Sequence, residues 1–176
     1  MKIIKTKFKG LFIVKQVENK DSRGSLRETH NEKIIKKKFN FEYFTHSQKN
    51  VLRGFHFQIQ YQQSKYVNVL KGKILDCVVD LRKNSKTFGK SFKIILSKEN
   101  SLGLFIPRGF AHAYYSYEKE NIIYYKLDNF YKPNLERGII WNDTKLNIKW
   151  PSKKPIVSNK DKNMPNLDFY LKTKNK

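Results

Sequence analysis

Four short blocks carry side chains able to move protons or hold anions. The densest is Val51-Leu52-Arg53-Gly54-Phe55-His56-Phe57-Gln58, which sets a guanidinium, an imidazole and an amide inside an apolar run. Three such groups are costly to bury without partners. In the second, Ile106-Pro107-Arg108-Gly109-Phe110-Ala111-His112, a Pro-x-Gly turn delivers a histidine to the start of a strand. The third, Ile122-Ile123-Tyr124-Tyr125-Lys126, points two adjacent tyrosines to opposite faces. The fourth, Val157-Ser158-Asn159-Lys160-Asp161, holds a lone carboxylate in a basic tail. Singly, each has a structural explanation. A strand histidine is more often a satisfied structural group than a base, a strand tyrosine is usually core, and Asp161 reads equally as a helix cap. Strand parity adds a difficulty: Arg53 and His56 face opposite sides unless Gly54 permits a bulge or bend. Spacing alone leaves a β-rich domain with its function open.

The elements that must position these residues are short strands. Alternating or continuously apolar runs predict strands over residues 11–17, 38–44, 65–70, 73–81, 88–96, 102–106, 113–117 and 121–127. Turn residues such as Lys71-Gly72-Lys73 and Lys83-Asn84-Ser85-Lys86 separate several of them. Regularly spaced short strands suggest a β-sandwich, jelly roll or barrel. Residues 30–37 and stretches after Pro155 invite short helices. Along 73–81, Leu75, Cys77, Val79 and Leu81 share one face, while Ile74, Asp76, Val78 and Asp80 share the other. The second face reads either as a partly polar barrel interior or as a solvent-exposed surface. Cys77, on the apolar face, reads as a small buried hydrophobe.

The chain of 176 residues suits a single domain spanning 1–176, with residues from about 165 onward forming a basic tail that frays. No apolar run approaches the length of a transmembrane helix, so no membrane association is expected. No stretch at Met1 resembles a signal peptide, and one cysteine excludes an internal disulfide framework. A cytoplasmic setting is the expectation. The formal charge of +22 raises nucleic-acid binding as a hypothesis. Against it, 31 of the 37 basic residues are lysines spread along the chain. Arginine is the preferred tool for bidentate phosphate or guanine contacts, so no nucleic-acid partner is expected.

Taken together, these blocks resemble the dTDP-4-dehydrorhamnose 3,5-epimerase family of cupin-like sugar-nucleotide epimerases. Further matching stretches are Asp21-Ser22-Arg23-Gly24, Val79-Asp80-Leu81-Arg82-Lys83, Ser85-Lys86-Thr87-Phe88-Gly89, Glu136-Arg137-Gly138, Trp141-Asn142-Asp143 and Trp150-Pro151. They run in the family's order over nearly the whole chain. The resemblance implies an all-β, cupin-type β jelly roll (double-stranded β-helix) with short flanking helices, acting as a homodimer on a nucleotide-sugar substrate. It implies epimerisation at C3 and C5 of a nucleotide-linked 4-keto-6-deoxyhexose, in the synthesis of surface polysaccharide such as O-antigen or capsule. Both hydrogens are acidic because they flank the C4 ketone.

By the same resemblance His56 is the base, Asp161 its paired carboxylate, Tyr125 the acid on the far face of the sugar, and Lys65 a cation near the C4 oxygen. Arg23, Glu28, Arg53, Gln58 and His112 are expected substrate contacts, with Phe130 and Tyr131 at the nucleotide base. No organic cofactor is expected, because the substrate's own ketone is the electron sink. No metal is expected either: Gln58 and Tyr114 stand where a cupin metal site needs a second histidine after His56 and His112. The sequence also departs from the family pattern. Where the family commonly has a Gln-Asp-Asn-type stretch that contacts thymine, this chain reads Phe41-Glu42-Tyr43-Phe44-Thr45-His46-Ser47. Ala-His-Ala-Tyr replaces Ala-His-Gly-Phe, and Asn68 stands where an arginine is frequent. The base is left open among thymidine, guanosine and cytidine. Three alternatives stand beside double epimerisation: action at C3 or C5 alone, non-catalytic binding of a sugar nucleotide, and nucleic-acid binding.

Overall fold

The computed structural model describes residues 1–173 and is dominated by antiparallel strands. In chain order these are β1 (Lys2–Lys5), β2 (Phe12–Lys15), β3 (Val17–Asp21), β4 (Gly24–Glu28), β5 (Phe41–Ser47), β6 (Leu52–Gln58) and β7 (Lys65–Lys71). They continue with β8 (Lys73–Asp80), β9 (Ser91–Ser97), β10 (Leu102–Ile106), β11 (Phe110–Ser116), β12 (Asn121–Leu127) and β13 (Glu136–Gly138). Three short helices flank them: α1 (Glu32–Ile35), α2 (Asn159–Lys162) and α3 (Leu167–Thr173). One sheet runs β1-β2-β10-β7-β12-β5, the other β13-β6-β11-β8-β9, and β3-β4 form a separate hairpin. Sequence-distant strands lie side by side in both sheets, the connectivity of the expected cupin-type jelly roll.

The alternation of apolar side chains explains the layers. Val67, Val69, Leu104, Ile123 and Leu127 of the first sheet meet Ile74, Val78, Leu96 and Phe110 of the second in one core. The outer face of the second sheet carries Phe55, Cys77, Val79 and Ala111, and the C-terminal segment covers it with Ile139, Leu146, Leu167 and Tyr170. Thus both faces of β8 are buried, and Asp76 and Asp80 lie on the face toward the interior with no solvent exposure. The Cys77 thiol, pushed to higher pKa by burial, is packed among apolar groups.

Asp80 accounts for two of the sequence blocks at once. Its carboxylate accepts from Arg82 Nε (2.8 Å), Ser85 Oγ (2.6 Å) and Thr87 Oγ1 (2.6 Å), tying the β8–β9 loop to the strand end. Burial alone would raise its pKa, but these hydrogen bonds reverse the shift and hold it at about 2.

The structure differs from the sequence expectation at both termini and in one arm. The sequence gives no sign of strand β1, of the β3–β4 hairpin beyond Val17, or of β13. The expected fraying tail is instead helical as far as Thr173, with Leu167 and Tyr170 buried. The rest of that tail, residues 174–176, lies outside the described residues. No helix of the described residues is long and apolar enough to cross a membrane.

Gly54 resolves the parity difficulty. His112 pairs with His56 and Tyr114 with Arg53, so three steps along β6 match two along β11. That bulge turns Arg53 and His56 off the strict alternation. Gly54 has φ +113, and a Cβ there would meet His112 O at 2.5 Å and the Ala113 Cα at 2.7 Å. Gly54→Ala should therefore cost about 2–4 kcal/mol, lowering the thermal midpoint by roughly 5–15 °C. Gly89→Ala, at φ +72 but with nothing within 4 Å, should cost about 1–2 kcal/mol. Equal losses in calorimetry would show that crowding against β11 is not what selects glycine at 54.

Candidate active site

His56 lies on β6 directly opposite His112 on β11. Its partner comes from the far end of the chain. Ile156 pairs in parallel with Val51, with hydrogen bonds Leu52 N to Ile156 O (2.9 Å) and Ile156 N to Asn50 O (2.7 Å). The chain then enters α2, where Ser158 Oγ accepts from the Asp161 amide at 3.1 Å. Ser158 is thus the cap, and Asp161 stands one turn in, facing β6. Asp161 Oδ1 is 2.7 Å from His56 Nε2, and Oδ2 accepts from Gly54 N at 3.0 Å. Burial alone would raise the Asp161 pKa; the His56 hydrogen bond and charge, with the Gly54 and Ser158 contacts, bring it below the usual carboxylate range. The His56 side chain keeps 27% exposure against 4% for Asp161, so the imidazole is reachable while its carboxylate is not.

A second imidazole–carboxylate pair lies deeper. His112 Nε2 is 2.8 Å from Asp76 Oδ2, and both are buried. Asp76 Oδ1 is buried with no hydrogen-bond partner. The His112 ring meets the Tyr125 ring edge-on, with centroids 6.1 Å apart. Tyr125 faces inward from β12, while neighbouring Tyr124 faces out to Glu42, as the sequence implied. Burial, reinforced by Tyr114, Tyr43 and Asp76, pushes the Tyr125 phenol far above its ordinary pKa, so it holds its proton.

Lys65 shares the inward face of β7 with Val67 and Val69. Burial lowers the pKa of its ammonium, and the charges of Glu136 and Asp76 oppose that shift. Arg53 lies at the rim, its Nε donating to Ser47 Oγ at 3.1 Å. Ser47 Oγ is in turn 2.8 Å from Tyr114 Oη, which also meets Thr45 Oγ1 at 3.0 Å. Tyr114 and Thr45, two departures from the family pattern, therefore interact with each other.

Of the expected contacts, Arg23 and Glu28 are not brought to this site, and the amide of Gln58 is already engaged by backbone. Arg23, its side chain 88% exposed at the tip of the β3–β4 hairpin, pairs with Asp21. Glu28 accepts from Asn31 on the outer side of the fold. Gln58 is buried, and both ends of its amide serve backbone: it donates to Tyr61 O at 2.8 Å and accepts from Lys132 N at 2.7 Å. It thereby anchors the segment carrying Phe130 and Tyr131, both exposed at the rim.

Two residues of this region were not picked out from the sequence. Glu136 opposes Gln58 on β13 and accepts from the Tyr131 hydroxyl at 3.0 Å and from Lys160. Its pKa, raised by burial, is brought down on balance by Lys160 and by the charge of His56. The only signals were membership of the Glu-Arg-Gly block and a lysine preceding Asp161. Among the described residues no group of three or more His, Cys, Asp or Glu is placed to hold a metal ion.

The fold and the site define a class: a cupin-type jelly roll carrying a part-exposed imidazole paired with a buried carboxylate on β6. The family model for dTDP-4-dehydrorhamnose 3,5-epimerase matches residues 5–168. The Shigella flexneri dTDP-4-dehydrorhamnose 3,5-epimerase is 41% identical over 170 residues, covering 93% of this chain and 94% of that protein. The Bacillus anthracis dTDP-4-dehydrorhamnose 3,5-epimerase, solved with TDP and PPi bound, superposes with a TM-score of 0.91 at 35% identity, over 94% of this chain and 99% of that one. The Legionella pneumophila dTDP-6-deoxy-D-glucose-3,5-epimerase, in complex with dTDP-4-keto-L-rhamnose, gives 0.90 at 36% identity, over 95% and 93%. The chain belongs to the dTDP-4-dehydrorhamnose 3,5-epimerase family, whose members are isomerases.

The Asp161 pair has a measurable pH signature. A carboxylate whose folded pKa is depressed adds stability above its unfolded value, near 3.9, and loses it as pH falls through the folded value. Asp161→Asn should thus lower the thermal midpoint at pH 7. The gap from wild type should narrow as pH drops below about 4. A gap constant from pH 7 to pH 3 would mean that the pair carries no net charge stabilisation.

Proposed function

We propose that the chain inverts C3 and C5 of dTDP-4-dehydro-6-deoxyglucose through enolate intermediates. The observation that carries this reading is the reachable His56 imidazole, backed by buried Asp161 and paired across β6 and β11 with His112, whose ring packs against the buried Tyr125 phenol. With Nε2–H donated to Asp161, the neutral ring keeps its lone pair on Nδ1. That nitrogen takes the proton from C3, and the C–H electron pair moves to form the enolate, its charge on the C4 oxygen. Lys65 is the donor suited to meet that oxygen. Asp161 stabilises the imidazolium as it forms. Tyr125 then delivers its proton to C3 from the opposite face, and exchange with water returns both groups to their starting states. The same cycle at C5 completes the double inversion.

Arg53 offers its guanidinium to the pyrophosphate. Phe130 and Tyr131 are the surfaces for the base, with Glu136 and Lys160 closing the rim beside them. Thymidine is the base carried by the ligands of the relatives and is proposed here on that ground. A cytoplasmic setting belongs to the same reading.

A homodimer reconciles Arg23 and Glu28 with a role toward substrate. Neither reaches the cleft of its own subunit, and the hairpin that bears Arg23 also exposes Val17 and Leu26. In a dimer whose hairpin arm lies at the partner's cleft, each site takes its base from one subunit and Arg23 from the other. Mixing inactive Arg23→Ala and His56→Ala subunits should then restore roughly a quarter of wild-type activity, since half the dimers are mixed and each has one intact site. No recovery on mixing would place Arg23 outside the partner's site.

The reaction itself is tested in D2O. Wild type should introduce deuterium at both C3 and C5, and His56→Ala should abolish exchange at both, a loss of about 10²–10⁴-fold or more. Deuterium at a single carbon would reduce the activity to one centre. Exchange that survives His56→Ala would remove the imidazole from the mechanism.

A further inference from the structure

Strand β5 forms a wall of the cleft that the mechanism does not use. It is an edge strand, paired on one side with β12. Alternation turns Phe41, Tyr43, Thr45 and Ser47 inward and Glu42, Phe44 and His46 outward. Tyr43 sits in register with Tyr125 on β12. Their rings are stacked, with centroids 4.8 Å apart and planes at 22°. The pair belongs to a ladder of rings. Phe130 at the rim lies 6.2 Å from Phe41, Phe41 lies 5.7 Å from Tyr43, and Tyr125 ends the series against His112.

Tyr43 is the outer ring of the stack, with 36% exposure against 3% for Tyr125. It covers one face of the phenol, and the His112 ring blocks the edge. A tyrosine side chain has few rotamers, and a stacked neighbour on one face removes most of the remaining freedom. We propose that Tyr43 is a positioning residue, holding the Tyr125 phenol toward the sugar face opposite His56 and screening it from water, so that the enolate is protonated with inversion. The idea rests on the reading of Tyr125 as the acid.

The distinguishing quantity is the ratio of solvent exchange to inversion. Deprotonation by His56 needs no clamp, whereas inversion needs the acid in place. With dTDP-4-dehydro-6-deoxyglucose in D2O, exchange is followed by mass and inversion by NMR. Tyr43→Phe keeps the stacked ring, and its ratio should stay within about twofold of wild type. Tyr43→Ala and Tyr43→Leu remove the ring and should raise the ratio about tenfold or more, as deuterium returns on the original face. Tyr43→Leu retains bulk on a partly exposed edge strand, so it reports even if the alanine variant folds poorly. An unchanged ratio in the leucine variant overturns the proposal. So does an equal rise in Tyr43→Phe, which would assign the effect to the hydroxyl. Tyr125→Phe serves as the reference: if it inverts normally, the reading of Tyr125 as acid fails, independently of Tyr43.

Discussion

A carboxylate removed from water must be surrounded by donors or give up its charge. Asp161 meets that demand with two groups of a single strand, the Gly54 amide and the His56 ring. Much of the C-terminal architecture follows from bringing those groups together. The chain must return from β13 across the outer face of the second sheet, and Ile139, Leu146 and Leu167 cover that face on the way. It must then run beside the start of β6, which the Val51–Ile156 bridge secures, and turn into α2 at Ser158. The amide of Gly54 is available because the bulge takes β6 out of its ladder at that point. One ionic contact therefore constrains a strand irregularity, a loop path and a helix start.

The two imidazole–carboxylate pairs show how burial separates like groups into different tasks. Both have ring nitrogen to oxygen distances near 2.8 Å. His56 is open on one side and has Glu136 and Lys160 in its surroundings, so its second nitrogen can meet a ligand. His112 is almost wholly enclosed, locked to Asp76 on β8 and packed on Tyr125. With Nε2 committed to Asp76, it is suited to packing Tyr125 and shaping the interior.

The sheets were legible because alternation is a strong signal where both faces of a strand have distinct neighbours. The Lys73–Asp80 strand shows both the reach and the limit: its alternation was plain, but the face mixing carboxylates with apolar groups read equally as interior or surface, and the burial of Asp76 and Asp80 decides for the interior. The β3–β4 hairpin was invisible because Glu18, Asn19, Lys20 and Asp21 have low strand propensity. It is held by tertiary bonds instead, such as Arg27 to Val69 O at 2.7 Å and Ser101 to Glu18 at 3.1 Å. Helix α3 was mistaken for fraying chain because lysines dominate its neighbourhood, while two residues, Leu167 and Tyr170, provide the docking. The proton-transfer residues were marked by type and by family resemblance. Glu136 and Lys160 were not, because a rim ion pair between residues 24 apart leaves no periodicity in sequence.

The net charge of +22 acts on a different length scale from these contacts. Beyond about 8–10 Å a surface charge is screened at physiological ionic strength. A lysine on the far side of the jelly roll adds little at the cleft, except by raising the rate at which an anion arrives. Local charges decide what happens after arrival. Around His56 they nearly balance: Asp161 and Glu136 face Lys160, with Lys65 deeper in. The positive field therefore belongs to the surface, where it raises the arrival rate of an anion, while the charges beside His56 are set by their own neighbours.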